Sequence, residues 1–226
     1  MASVIQVTTV NYPESDGKPL GETDEHRKEM TRLIQLLERF YAGQSVYVSG
    51  DLLVFYEQGN PKKFVVPDVF VVKGLDPGNR RIYKLWFEGK PPDVILEVTS
   101  RKTQKKDTVT KPALYGQLGV PEYFLFDLTR DYLEPPLQGH RLIGPRYDPI
   151  AADAQGGLVS EQLGLRLHAE GRQLMLYRLD TGQRLLTAEE ELQIESEARQ
   201  AEAEARQAAE AEVARLREQL RSRDAT

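Results

Sequence analysis

The sequence predicts an α/β fold, a mixed β-sheet flanked by helices and followed by a long C-terminal helix. Three observations predict it. Met30, Leu33, Ile34, Leu37, Phe40 and Tyr41 recur at three- and four-residue steps, the spacing of one helix face. Short apolar runs, among them Val69–Val72, Val94–Val98 and Tyr123–Phe126, sit between turn-forming residues. From residue 188 to the last residue there is neither Gly nor Pro, and Ala, Glu, Arg and Gln dominate. Helix, strands, helix and strands in that order suit a mixed sheet.

Residues 1–22 read as loop, punctuated by Pro13, Gly17, Pro19 and Gly21. Thr23 or Asp24 can cap the first helix, and Gly43 follows its end, which gives a rod of about 27 Å. Val46–Ser49 begins the strands, Gly50 marks a bend, and Leu52–Tyr56 continues. After the turn at Gln58–Lys62, Phe64–Val72 reads as one strand carrying Asp68. Residues 74–91 form a Gly/Pro/Asn-rich excursion around Tyr83–Phe87, and 92–99 is the next strand. Ser100–Thr110 reads as a polar connector. A short helix over 111–118 ends at Gly119, and Glu122–Asp127 is a further strand. Beyond it lie short strands and turns, with Asp180-Thr-Gly as a hairpin-like turn.

In the tail, Ile194, Ala198, Ala201, Ala205, Ala209, Val213, Leu216 and Leu220 form a stripe with an eleven-residue repeat. That period suits a straight or slightly right-handed coil of roughly 50 Å. Its mostly Ala seam buries little area per residue. We therefore expect two domains, 1–187 and a helical coiled-coil tail over 188–226, with the tail pairing two copies into a homodimer. A lone solvated helix is the alternative.

The chain has 226 residues, 40% hydrophobic and 29% charged. It has no Cys, which excludes disulfides and thiolate zinc sites and fits a reducing, cytoplasmic compartment. His26, His140 and His168 are scattered and lack metal-ligand spacing. The N-terminus lacks the basic start and apolar core of a signal peptide, and no apolar run approaches the ~20 residues of a membrane span. The net charge is −5. Residues 188–226 hold 6 basic and 11 acidic side chains, so the remaining 24 and 24 balance to zero. A neutral body argues against strong non-specific DNA binding. It still carries a local basic cluster of Arg101, Lys102, Lys105, Lys106 and Lys111. A solvated loop face is the alternative reading of that cluster.

The chemistry concentrates in two Pro-Asp starts. Pro67-Asp68 opens one apolar run, and Pro92-Asp93 opens another that contains Glu97. In a strand Asp93, Ile95, Glu97 and Thr99 share one face. A carboxylate buried there is costly unless it is paired or holds a metal. If the two runs are neighbours, Asp68 and Glu97 converge. Two carboxylates ~4 Å apart repel by roughly 4 kcal/mol at an effective dielectric of 20. A divalent cation removes that penalty, and magnesium takes one or two carboxylates plus waters and phosphate oxygens. The pattern suggests a metal-dependent site that handles phosphate. A structural salt bridge between Glu97 and Lys111 is the plainer alternative. No glycine-rich phosphate loop supports a nucleotide-binding reading.

Pro67-Asp68 with Glu97-Val-Thr resembles the PD-(D/E)xK restriction-endonuclease-like superfamily. The string Pro91–Ser100, then Asp107, Lys111, Tyr115, Gly119-Val and Glu122–Asp127, resembles its Uma-type family of restriction endonucleases. The resemblance covers roughly residues 20–187. It implies a restriction-endonuclease-like mixed sheet flanked by helices and a Mg2+ (or Mn2+) site. It also implies metal-dependent hydrolysis of nucleic-acid phosphodiesters, with DNA as the substrate. Asp68 matches the motif Asp and Glu97 its acidic partner. Thr99 stands where the motif lysine belongs, so Lys111 on the next helix is the candidate, with Lys105 and Lys106 behind it. Glu25 on the first helix and Asp93 are expected to assist, Asp93 as a third metal ligand. The displaced lysine also admits a catalytically silent, nuclease-derived interaction module acting through its tail.

Overall fold

The computed structural model describes residues 10–15, 17 and 23–224. The loop expected over 1–22 lies mostly outside them, as do the side chains of Leu216 and Leu220. The chain divides into two compact units, Met1–Leu185 and Leu186–Thr226.

The first unit begins with α1 (Asp24–Phe40), where the Thr23 side chain accepts a hydrogen bond from the His26 N–H. Next come β1 (Val46–Ser49), β2 (Val54–Phe55), β3 (Phe64–Val65), β4 (Val69–Lys73), β5 (Tyr83–Lys84), the short α2 (Leu85–Glu88) and β6 (Val94–Thr99). A π-helical turn over Lys106–Thr110 runs into α3 (Lys111–Leu118). The remaining strands are β7 (Glu122–Asp127), β8 (Leu137–Ile143), β9 (Arg146–Pro149), β10 (Leu158–Ser160), β11 (Leu165–Glu170) and β12 (Gln173–Arg178).

Six strands form the central sheet in the order β1-β4-β6-β7-β8-β9. Neighbours are antiparallel except β6 and β7, which run parallel with Glu97 opposite Leu125 and Thr99 opposite Asp127. Parallel neighbours need a crossover, and the helical segment ending in α3 supplies it. Two small sheets, β3-β2-β5 and β10-β11-β12, complete the unit.

Alternation along β4 and β6 divides the core between the two sheet faces. Val69, Val71, Val94, Leu96 and Val98 pack with Leu33, Leu36 and Leu37 of α1 and with Leu165, Leu167, Leu174 and Leu176. Phe70, Val72 and Ile95 pack with Tyr115, Tyr123 and Leu125 on the other side. Each fully buried Leu or Phe contributes about 1.5–3 kcal/mol. Every residue of β6 is buried, so Glu97 stands inside this core.

The structure corrects three expected boundaries. The strand expected over Phe64–Val72 is two strands in different sheets, broken at Pro67-Asp68. Pro67 has no N–H to continue a ladder. Its carbonyl instead accepts from the Asp51 N–H at 2.9 Å. Likewise Val46–Tyr56 splits at Gly50, β1 joining the central sheet and β2 a small one. The polar connector at 100–110 is largely helical, because Thr103 O accepts from both Lys106 N and Asp107 N.

The second unit carries α4 (Ala188–Asp224). Thr187 Oγ1 accepts from Glu190 N, and the Glu190 carboxylate accepts from Thr187 N, a reciprocal capping box. Its 37 residues span about 55 Å. Ile194 and Val213 of the stripe are exposed.

Gly50 makes the crossing at Asp68 possible. A Cβ there would collide with the Asp68 carbonyl oxygen and the Ile34 side chain. Gly50→Ala should therefore lower the unfolding free energy by on the order of 2–4 kcal/mol. Urea denaturation checks this, and an unchanged midpoint would contradict the close approach.

Candidate functional site

Asp68 sits at the break between β3 and β4, where the chain is free to turn its side chain toward β6. Asp68 Oδ2 accepts from the Val98 backbone N–H at 2.9 Å, and Glu97 Oε2 accepts from the Asp68 backbone N–H at 3.3 Å. Each acid thus holds the backbone beside the other. This cross-link is the direct result of β4 and β6 being neighbours, with Val69 opposite Leu96.

Glu97 points from β6 toward α3. Its Oε2 accepts from Lys111 Nζ at 2.7 Å and its Oε1 from the Tyr115 hydroxyl at 2.8 Å. Lys111 and Tyr115 are one helical turn apart and share a face. Pro112 sits in the first turn of α3, where its missing N–H costs little. Burial of the Glu97 side chain is complete, whereas Asp68 and Lys111 are 15% and 17% exposed, so solvent reaches the group from their side.

A third acid belongs to the same cluster. Asp107, on the π-helical turn, places Oδ1 3.2 Å from Lys111 Nζ, and its Oδ2 accepts from the Thr99 hydroxyl at 2.7 Å. Thr99 also contacts the Tyr132 hydroxyl. The core also holds the π turn, since the buried Tyr123 hydroxyl donates to the Asp107 carbonyl at 2.6 Å. Single π turns inside helices recur at functional sites. From α1, His26 brings Nε2 to 3.3 Å from Asp68 Oδ2 and into contact with the Val98 carbonyl.

Glu97 and Asp107 therefore contact one ammonium group, and the Asp68 charge acts on it from farther away. Burial pushes the Glu97 carboxyl up, to about 8; Lys111 opposes the shift and the Asp68 and Asp107 charges add to it. Burial alone would lower the Lys111 ammonium, but the Glu97, Asp68 and Asp107 charges outweigh it and hold the group raised. Burial, with the Glu97 charge second, also raises the Tyr115 hydroxyl, which stays a donor. The acids Asp68, Glu97 and Asp107 outnumber the basic side chains that meet them, Lys111 and His26.

The structure brings together Asp68, Glu97 and Lys111. It takes two other expected residues elsewhere. Asp93 lies four residues before Glu97, about 13 Å along the strand at 3.3 Å per residue. There Lys90 Nζ holds it at 2.8 Å and the Lys73 N–H at 2.7 Å, so it ties β4 to the start of β6. Glu25 forms an exposed ion pair with Arg172 at 2.6 Å. Its neighbour Glu29 is buried, but it binds Arg32 and the Leu174 N–H and serves the core. Lys105 and Lys106 face solvent. Asp107 and Tyr115 stand in the family-like string without an assigned role; their spacing of four from Lys111 is a second signal.

Among the described residues no group of three or more His, Cys, Asp or Glu side chains is placed to hold a metal ion. The Asp68–Glu97 pair offers oxygen atoms alone. Two carboxylates, with the Val98 carbonyl beside Asp68, are oxygen donors, and magnesium and manganese favour oxygen and keep several waters.

The family model Uma2, described as "Putative restriction endonuclease", matches residues 9–206. No curated protein matches the chain. Among solved structures, a protein from Anabaena variabilis ATCC 29413 described as a putative nuclease belonging to DUF820 is similar at 11% identity and a TM-score of 0.46. The match covers 68% of this chain and 86% of that one.

Removing the central cation should expose the excess charge. Lys111→Met is expected to lower stability by about 3–5 kcal/mol at about pH 9, the usual cost of orphaning a buried charge. The loss should shrink at about pH 5, because the raised Glu97 carboxyl then takes a proton and removes its own unpaired charge. Chemical denaturation at both pH values checks this. A loss that is equal or larger at the lower pH would contradict the assignment.

Proposed function

This chain belongs to the Uma2 family, and from that premise we propose that it is a divalent-metal-dependent nuclease that hydrolyses nucleic-acid phosphodiester bonds, with DNA as the first substrate to test. The observation that carries the reading is the mutual grip of Asp68 and Glu97 at the junction of β4 and β6, with the Lys111 ammonium 2.7 Å from Glu97. Such a pair in an apolar sheet serves no packing purpose that a hydrophobic pair would not serve as well.

In this reading Asp68 and Glu97 hold a magnesium or manganese ion. Bound there, the ion supplies Lewis-acid charge to the phosphoryl oxygens. The residues of the chain do the remaining work. Tyr115 fixes the Glu97 carboxylate by donating to Oε1. His26 fixes Asp68 and the Val98 carbonyl from the opposite side. Asp107 holds Lys111 in place, and Thr99 orients Asp107. Lys111 keeps its proton under the three surrounding acids, so it acts as a cation. It orients the attacking water or the scissile phosphate and does not accept a proton. Lys111 thus replaces from a helix the ammonium that the family motif places two residues after the acid, where Thr99 stands.

Asp68→Asn and Glu97→Gln are each expected to reduce Mg2+- or Mn2+-dependent cleavage of plasmid DNA by at least about 100-fold, beyond what losses in the outer shell of a metal site usually cost. Both variants should also lose the calorimetric heat of Mn2+ binding while keeping a cooperative melt. Cleavage at the parent rate by either folded variant would sink the reading. A parent protein that neither binds Mn2+ nor cuts would favour the interaction module in its place.

A further inference from the structure

A ridge of unpartnered lysines runs along the outside of the segment that builds the site. Lys102, Lys105 and Lys106 are exposed, and none of their side-chain ammonium groups meets a carboxylate or any other hydrogen-bond partner among the described residues. Arg101 differs, because its guanidinium donates to the Asp131 carbonyl at 2.7 Å. The three lysines fall within five residues, from the turn at Lys102 to the start of the helical segment at Lys105 and Lys106, where like charges repel. The same segment turns Asp107 and Lys111 inward against Glu97. One short stretch therefore has an acid-binding inner face and a bare cationic outer face.

The charge of the site makes this arrangement consequential. Asp68, Glu97 and Asp107 outnumber Lys111, so a polyanion approaching the site is repelled until cations at its rim offset the field. The ridge lies immediately after Thr99, the last residue of β6, whose hydroxyl holds Asp107. Between residues 100 and 110 there is no aromatic side chain, and Val109 is the exposed apolar one. Surfaces that hold single strands stack bases on aromatic rings. Lysine alone reads phosphate and carries no base information.

We propose that Lys102, Lys105 and Lys106 form a phosphate-backbone contact for double-stranded nucleic acid, seating the duplex beside the Asp68–Glu97 pair without regard to sequence. The inference rests on the nuclease reading above and adds the surface that the substrate occupies.

The test uses the full-length chain in a metal chelator, so that no strand is cut. Anisotropy titrations with a mixed-sequence DNA duplex are run from about 50 to about 200 mM KCl. Each phosphate contact contributes about 0.9 to the salt slope of duplex binding. The variant K102Q/K105Q/K106Q should therefore lose about 2–3 units of slope and bind at least about 10-fold more weakly at the lowest salt. Its calorimetric affinity for Mn2+ should stay within about twofold of the parent, because the substituted side chains face away from the acids. Parent-like duplex affinity and slope in the variant would overturn the proposal. So would a parent that prefers single strands, or a variant that loses Mn2+ affinity along with duplex binding. A parent that binds duplex through the ridge yet binds no Mn2+ would instead refute the metal reading and leave the ridge standing.

Discussion

One buried carboxylate organises the region. Glu97 stands in a strand whose every residue is buried, and it survives there because Lys111, Tyr115 and the Asp68 N–H each give it a hydrogen bond. An isolated carboxylate in such a place would take a proton or unfold the strand. The partners come from three directions: the break before β4, the first turn of α3, and the next turn of α3. The parallel pairing of β6 with β7 requires the crossover that carries α3, so topology and charge satisfaction depend on the same segment.

The arrangement is incompletely neutralised. Lys111 contacts two carboxylates, His26 meets the third, and burial pushes the Glu97 carboxyl up to about 8. Structural ion pairs are usually balanced. Strongly perturbed groups with specific charge partners are candidates for a functional site. Bare lysines on the outside of the same segment complete a division of labour, with acids inward and cations outward.

Much of this was legible in the sequence, for identifiable reasons. The helix stripe, the alternation along β6 and the glycine at the end of α3 follow from local periodicity and backbone preference, and the structure has them. The acid pair was legible because a charged residue in an apolar run needs a partner, and Asp68 opened the nearest similar run. Lys111 as the substitute for the motif lysine was legible only through resemblance, since nothing local says that a helix supplies the ammonium missing at Thr99. What the sequence hid depended on side-chain reach. Asp93 shares the strand face of Glu97 but lies a strand length away, where Lys90 claims it. Glu25 precedes the residue whose ring reaches Asp68, and one residue on a helix turns it about 100° away, toward Arg172. The role of Asp107 was hidden because residues 100–110 read as a polar connector, whereas a helical turn there aims its side chain at Lys111.

The most direct test of the central claim, a cation shared by Asp68 and Glu97, is anomalous diffraction from a crystal soaked in MnCl2. The account predicts one strong peak about 2 Å from oxygens of both carboxylates, with Lys111 retained at the edge of the site. A peak at Asp93 alone, or no ordered manganese between the two acids at saturating concentration, would contradict it.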